Sequence, residues 1–358
     1  MSAIFEAWGP ATLTAVSGFL FSFLACIWVM RLGVVDAPDE DRKTQETPVP
    51  RLGGVGILIG AIFGMAVSFV VLVWIRGGEP ASVLPEWTST TRETARLVFN
   101  SVFFTVLVFA IGLWDDVKAI STKTKLAIFT VVAVLAGGDI APTLILTPFG
   151  ALTFGILLSA GSALWLLVFT NAANFMDGSN GLSIGCLAIM LAGLALIGSS
   201  HSAFDLSVGW FALFGAIGGF LVHNLRGNLY AGDAGALGLG ALFASLGLAS
   251  GLEVWTVATL ALPFLVDVLL TLVWRAKHGR SWLSAHRDHA YQRLMDQGWG
   301  HLDVAIFYWG LSAVCVVAAM IAVEAGGWVP FSLFWVLLVA GCVLWCVNRS
   351  TTLHDQSA

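Results

Sequence analysis

Charge is what this sequence has least of. Asp, Glu, Lys and Arg make up only 11% of its 358 residues, against about 25% in a soluble globular protein. With a mean hydropathy of +0.88, that deficit excludes an ordinary water-facing surface. Strict alternation in segments of about ten residues is also missing, which excludes a membrane β-barrel. Cysteine is sparse. Cys26, Cys186, Cys315, Cys342 and Cys346 all fall in apolar runs without metal-ligand spacing to histidine. They read as small buried hydrophobes and report nothing about redox compartment. A net charge of −5 gives no reason to expect a nucleic-acid partner. No A-x-A-like cleavage site follows the first apolar run, so that run is expected to be a transmembrane helix rather than a leader. No soluble domain, long linker, low-complexity tract or internal repeat is visible, and the missing repeat counts against a transporter built on inverted repeats.

What the sequence does have is long continuous apolar runs, many reaching the ~20 residues that cross a bilayer. Eleven spans are expected, at about 11–31, 53–75, 97–114, 124–138, 154–172, 182–199, 207–224, 235–250, 253–275, 303–324 and 329–348. The fourth is short, and little more than Gly251-Leu252 separates the eighth from the ninth, so the count is ten or eleven. The expected fold is an all-α polytopic membrane protein, one domain over residues 1–358. Fourteen of the 17 basic residues fall in loops on one side, and only Arg76, Arg92 and Arg96 on the other. By the positive-inside rule the N-terminus is outside and the basic loops are cytoplasmic. The outside segment from Leu144 to Gly155 reads as a β-hairpin.

The polar residues concentrate in the cytoplasmic loops. Asp115 and Asp116 end the third span, with Lys118, Lys123 and Lys125 close behind. An interfacial stop signal accounts for such a pair. So does a site, because adjacent carboxylates repel at a low-dielectric boundary and favour a cation. Asp233 sits in "AGDAGALGLG". It reads as an N-cap in a Gly-rich turn, a role that can coexist with metal binding, at a helix start where small residues let a phosphate come close. "NFMDGSNG" carries Asn174, Asp177 and Asn180. It is a turn by its DG and NG dipeptides, and also a set of hard oxygen ligands suited to Mg²⁺. Phe175 and Met176 are expected in the lipid or helix interface. His286 and His289 stand three apart in the most basic loop, beside Arg287 and Arg293. This is poor zinc spacing, and phosphate binding or a solvated interface fits better. Asp267 lies within a span. A helix–helix hydrogen bond is the preferred reading there, although an intramembrane carboxylate is a functional candidate by default. Each motif alone is ambiguous. On one membrane face they make a kit for phosphoryl-type transfer involving a lipid-embedded substrate.

In this order, "DD", "NAANFMDGSNG", "GDAG" and "HRDH" resemble the polyprenyl-phosphate N-acetylhexosamine-1-phosphate transferases, glycosyltransferase family 4. The resemblance runs from about Asp36 to His301 and takes in "DRKTQETPVPRLGG", "PFLVD" and "AHRDHAYQRL". It implies a multi-pass protein of the bacterial cytoplasmic membrane. A UDP-N-acetylhexosamine would be the donor, undecaprenyl phosphate the acceptor and Mg²⁺ or Mn²⁺ the cofactor, with a homodimer among the possible assemblies. The reaction would open O-antigen or other cell-surface polysaccharide synthesis. The resemblance places the metal on Asp233 and Asn174, the acceptor phosphate on Asp115 and Asp116, and the uridine and metal site near Asp177. It gives His286, His289 and Arg287 the pyrophosphate and sugar side. Lys125, Asn180 and Asn224 join the substrate-binding set. Two positions depart from the pattern. Asn180 stands where many bacterial members carry a second Asp, and Gln45 where many carry His. Alternatives are a muramyl-pentapeptide-type transferase and a lipid-linked-sugar or ion transporter.

Overall fold

The structure, a computed structural model, describes residues 2–37, 47–75, 78, 88–199, 207–281 and 286–355. Gln45 and most of the early loop around it lie outside those residues. Among these described residues, eleven long helices follow in chain order: α1 (Ser2–Val29), α2 (Gly53–Ile75), α3 (Ser89–Val117), α4 (Thr122–Asp139), α5 (Gly155–Phe175), α6 (Leu182–Ser199), α7 (Ser207–Asn224), α8 (Gly232–Ala249) and α9 (Val254–Lys277), then α11 (His301–Ala325) and α12 (Val329–Asp355), with the short α10 (Ala290–Asp296) between α9 and α11. Every apolar segment expected from the sequence is helical. The protein is an all-α polytopic membrane protein. By length and composition, eight described helices suffice to cross a bilayer, and the apolar part of α6 is shorter. The apolar part of α4 begins only after Lys123 and Lys125.

Apolar side chains point outward as well as inward. Leu135 and Ile156 are about 70% exposed, as lipid-facing positions are when the bilayer replaces water as solvent. Inside, small residues let helices touch backbone to backbone, which is how membrane helices associate without a hydrophobic drive between them. A Cβ on Gly18 would lie 2.5 Å from the Ala212 carbonyl oxygen, and one on Gly215 would lie 2.0 Å from that of Ala15, so α1 and α7 are in direct contact. Cys26, Cys186 and Cys315 are buried as expected. Cys342 is only half-buried and Cys346 is exposed, because α12 lies at the edge of the bundle.

The expected hairpin is present, as antiparallel strands β3 (Ile145–Thr147) and β4 (Gly150–Leu152) with Ile145 paired to Leu152. Trp255 ties it to α9 by donating to the Leu146 carbonyl at 2.6 Å. At the opposite end, β1 (Val35–Asp36) pairs with β2 (Val49–Pro50). The loop before α8 is stitched to β2 and α2. Tyr230 N–H donates to Pro50 O, while Gly53 and Gly54 N–H donate to Tyr230 O and Ala231 O.

Gly232 closes this stitch. Its φ is +72°, in the left-handed region, and a Cβ there would lie 2.1 Å from Arg51 O and 2.6 Å from Asp116 Oδ2. Gly232→Ala therefore combines strain with a backbone clash, and should cost about 2–4 kcal/mol. A clear fall in detergent melting temperature is the expected result. An unchanged value would mean that the loop yields freely.

Candidate active site

Helices alternate direction, so the C-terminal ends of α3, α5, α7 and α9 and the N-terminal ends of α4, α6, α8 and α11 meet at one end of the bundle. They enclose a cavity of about 650 Å³. Of the residues expected at a site, Asp116, Lys125, Asn174, Asp177, Asn180, Asn224, Asp233, His286, Arg287 and His289 all line it, and Asp115 joins them through Lys125.

The aspartate pair divides its work. Asp115 accepts from Lys125 Nζ at 2.6 Å and from the Ile120 N–H at 2.6 Å. Lys125 also reaches Asp233 Oδ2 at 2.5 Å, so one ammonium bridges two carboxylates. Asp116 is 2% exposed. Its Oδ1 accepts from the Asp233 N–H at 3.0 Å and its Oδ2 from the Ala234 N–H at 2.9 Å. A carboxylate at a helix N-terminus satisfies orphan donors and complements the helix dipole. The cap of α8 is thus Asp116 from α3, not Asp233, and Asp233 is left free to turn its side chain to the cavity. The Asp116 backbone carbonyl in turn accepts from Arg51 Nη2 at 2.5 Å.

"NFMDGSNG" is a turn, and most of its polar atoms face the cavity. Met176 is fully buried as expected. Phe175 is not confined to the lipid or helix interface. It lines the cavity and packs 5.8 Å from the His289 ring. The carboxylate of Asp177 and the side-chain amide of Asn174 have no hydrogen-bond partner among the described residues. Burial first, and then the Asp233 and Asp116 carboxylates, hold Asp177 well above the usual carboxylate range. Asn224 has a positioning place. Its Oδ1 accepts from the Gly181 N–H at 2.7 Å and its Nδ2 donates to Leu229 O at 2.9 Å, pinning two site loops to each other.

Asp267 organises the histidine loop. Its carboxylate accepts from the N–H groups of Ala290 and Tyr291 at 2.8 and 3.2 Å, and from Tyr308 Oη at 2.7 Å. The bond to Tyr308 is the expected link between helices, and the others go further by holding the start of α10. His289 Nδ1 lies 3.3 Å from Asp267 Oδ1. A carboxylate only accepts, so Nδ1 carries a proton. His289 is 2% exposed, and its Nε2 is buried without a protein partner among the described residues. Burial, then His289 and Arg275, hold His286 at about 4, so it is neutral near pH 7. Arg287 pairs with Asp296 at 2.8 Å. Tyr291 Oη donates to Phe175 O at 3.1 Å, and burial raises its own pKa. A Cβ on Gly178 would lie 2.1 Å from that hydroxyl, so the DG turn and the histidine loop fit only with glycine there.

Sequence reasoning did not assign Arg51, Tyr230, Tyr291 or His301 to the site, yet all four line the cavity. Arg51 and Tyr291 stood inside recognised motifs and gave that much signal. Among the described residues, no three His, Cys, Asp or Glu side chains are arranged to hold a metal by themselves. The oxygen donors of Asp233, Asp177 and Asn174 do fit Mg²⁺, which usually takes one or two protein groups together with substrate phosphates.

Comparison with known proteins agrees with this geometry. Residues 98–251 match the model of glycosyl transferase family 4, a stretch that holds Asp115, Asp116, Asn174, Asp177 and Asp233. The chain is 30% identical to the decaprenyl-phosphate N-acetylglucosaminephosphotransferase of Mycobacterium tuberculosis over 312 residues, 78% of this chain and 74% of that one. It is 29% identical to the Mycolicibacterium smegmatis protein of the same name over 327 residues, 81% of this chain and 76% of that one. A phospho-N-acetylmuramoyl-pentapeptide-transferase of Synechococcus is 35% identical over 213 residues, 56% of this chain and 61% of its own. On this similarity, the chain belongs to glycosyl transferase family 4, with the polyprenyl-phosphate sugar-1-phosphate transferases.

Proposed function

We propose that this protein transfers N-acetylhexosamine-1-phosphate from a UDP-sugar to undecaprenyl phosphate and releases UMP. A phosphate oxygen of the acceptor bonds to the donor's β-phosphorus, and the bond from that phosphorus to the bridging oxygen breaks. The observation that carries this reading is the cavity itself. One wall holds carboxylates around Lys125, and the other offers the unpartnered Nε2 of a buried histidine. Relatives named as N-acetylglucosaminephosphotransferases match more of the chain than the muramyl-pentapeptide relative does, which supports the hexosamine reading.

A phosphate monoester is mostly ionised at pH 7, its second pKa being ~6. It needs little help from a base, and Asp115 serves mainly to orient it together with Lys125. Charge repulsion between acceptor and diphosphate is the larger barrier. Lys125 and Arg287 reduce it, and His289 gives a hydrogen-bonding edge that Asp267 holds in place. Asp233, Asp177 and Asn174 would hold Mg²⁺ or Mn²⁺, which when bound neutralises diphosphate charge. The basic-residue bias supports a cytoplasmic side for this end of the bundle, where a UDP-sugar is available, and the reaction would begin a cell-surface polysaccharide such as O-antigen.

The test is a radiolabel transfer assay. Purified protein in detergent receives undecaprenyl phosphate, Mg²⁺ and a panel of UDP-N-acetylhexosamines, with and without EDTA. Label should enter the lipid phase with release of UMP, and EDTA should stop it. No transfer from any donor, together with no thermal stabilisation by UDP, would overturn the reading.

A further inference from the structure

We propose that His301, at the first turn of α11, binds the nucleotide-sugar donor through a neutral Nε2–H group. His301 lies outside the H-x-x-H motif. Its Nδ1 is 2.9 Å from Ser179 Oγ and 3.4 Å from the backbone nitrogen of Asn180. A backbone N–H only donates, so Nδ1 holds the lone pair and the ring proton resides on Nε2. That assignment follows from the partners. The ring lines the cavity, and Nε2 has no protein partner among the described residues.

His289 is set the opposite way. Asp267 accepts from its Nδ1–H. One cavity thus receives an imidazole held protonated at Nδ1 and another held protonated at Nε2, each fixed by a group that can bond in only one sense. An Nε2–H donor selects an acceptor atom. His301 contacts a hydroxyl and a peptide group, whereas Lys125 and Arg287 bring cationic groups suited to phosphate to other walls of the cavity. A neutral donor in that setting suits a carbonyl oxygen better than a phosphate oxygen. The donor offers two such oxygens, on its uracil and on its acetamido group. The inference rests on the UDP-sugar reading above.

Two substitutions separate a binding role from a structural one. Asn presents its amide near the position of Nδ1, and Gln near that of Nε2. His301→Asn keeps the contact with Ser179 and Asn180 and loses the group facing the cavity. It should raise KM for UDP-N-acetylglucosamine about 10-fold, with KM for undecaprenyl phosphate and melting temperature unchanged. His301→Gln keeps the cavity donor and loses the anchor. It should stay within about 3-fold of the parent KM and melt at a lower temperature. The reverse ranking, with the Asn variant like the parent and the Gln variant impaired in KM, would overturn the inference. Calorimetry with UMP and with UDP-N-acetylglucosamine then locates the contact. Weakening of both by His301→Asn places it on uracil, and weakening of the sugar nucleotide alone places it on the sugar. Binding by the parent protein that His301→Asn leaves intact would refute this inference alone. Failure of the parent protein to bind any uridine nucleotide would refute the proposed function itself.

Discussion

Asp233→Ala should lower transfer of sugar phosphate to the lipid by about 10³-fold or more, while the protein still inserts and folds. The backbone of Asp233 is held by Asp116, whose carboxylate takes the Asp233 and Ala234 N–H groups whatever side chain is present. The Asp233 carboxylate bonds to Lys125, which Asp115 already pairs at 2.6 Å. Asp115, Asp116 and Asp177 crowd the same cavity end, and like charges in a partly dry site repel. Removing one carboxylate eases that repulsion, so the melting temperature should be equal or higher. A group whose loss stabilises the protein and abolishes turnover is kept for function rather than for the fold. EDTA should bring the parent protein to the same low rate and lower the variant no further. Turnover retained in Asp233→Ala would sink the metal assignment.

The helices were legible because a continuous apolar run needs no partner to be recognised. The β3–β4 hairpin was legible because Pro-Phe-Gly marks its own turn. The shared location of the polar loops followed from alternation of direction alone. Contacts between elements were not legible. Asp116 reads locally as one half of an acidic pair, and only the packing of α3 on α8 turns it into the cap of a helix 117 residues away. Asn224 reads as a substrate amide until both ends of its side chain are seen on backbone groups of neighbouring loops. His301 carries no motif, and the "DGSNG" turn alone makes it a cavity residue. Local sequence states what a side chain can bond to, and topology decides which of those bonds form.

Asp267 is the strongest case of that rule and the subject of the second large effect. Five donors, from Thr271, His289, Ala290, Tyr291 and Tyr308, converge on its two oxygens. Asp267→Ala leaves those donors unsatisfied in a buried setting, and the expected loss is about 3–5 kcal/mol of stability. Asp267→Asn keeps the volume and one acceptor oxygen but turns an amide N–H toward groups that themselves donate. The His289 tautomer is then no longer fixed, and the start of α10, which carries Tyr291 onto the "DG" turn, loses its anchor. Transfer should fall about 100-fold in Asp267→Asn even where folding is restored by lower temperature or by bound UDP. A purely structural link between α9 and α11 predicts something else. Tyr308→Phe would then reproduce the whole effect, because it cuts the bond from α11 and leaves the bonds to His289 and α10 in place. Near-parent turnover in Tyr308→Phe with a large loss in Asp267→Asn would assign Asp267 to positioning the histidine loop. Equal losses in the two variants would reduce it to a strut between helices.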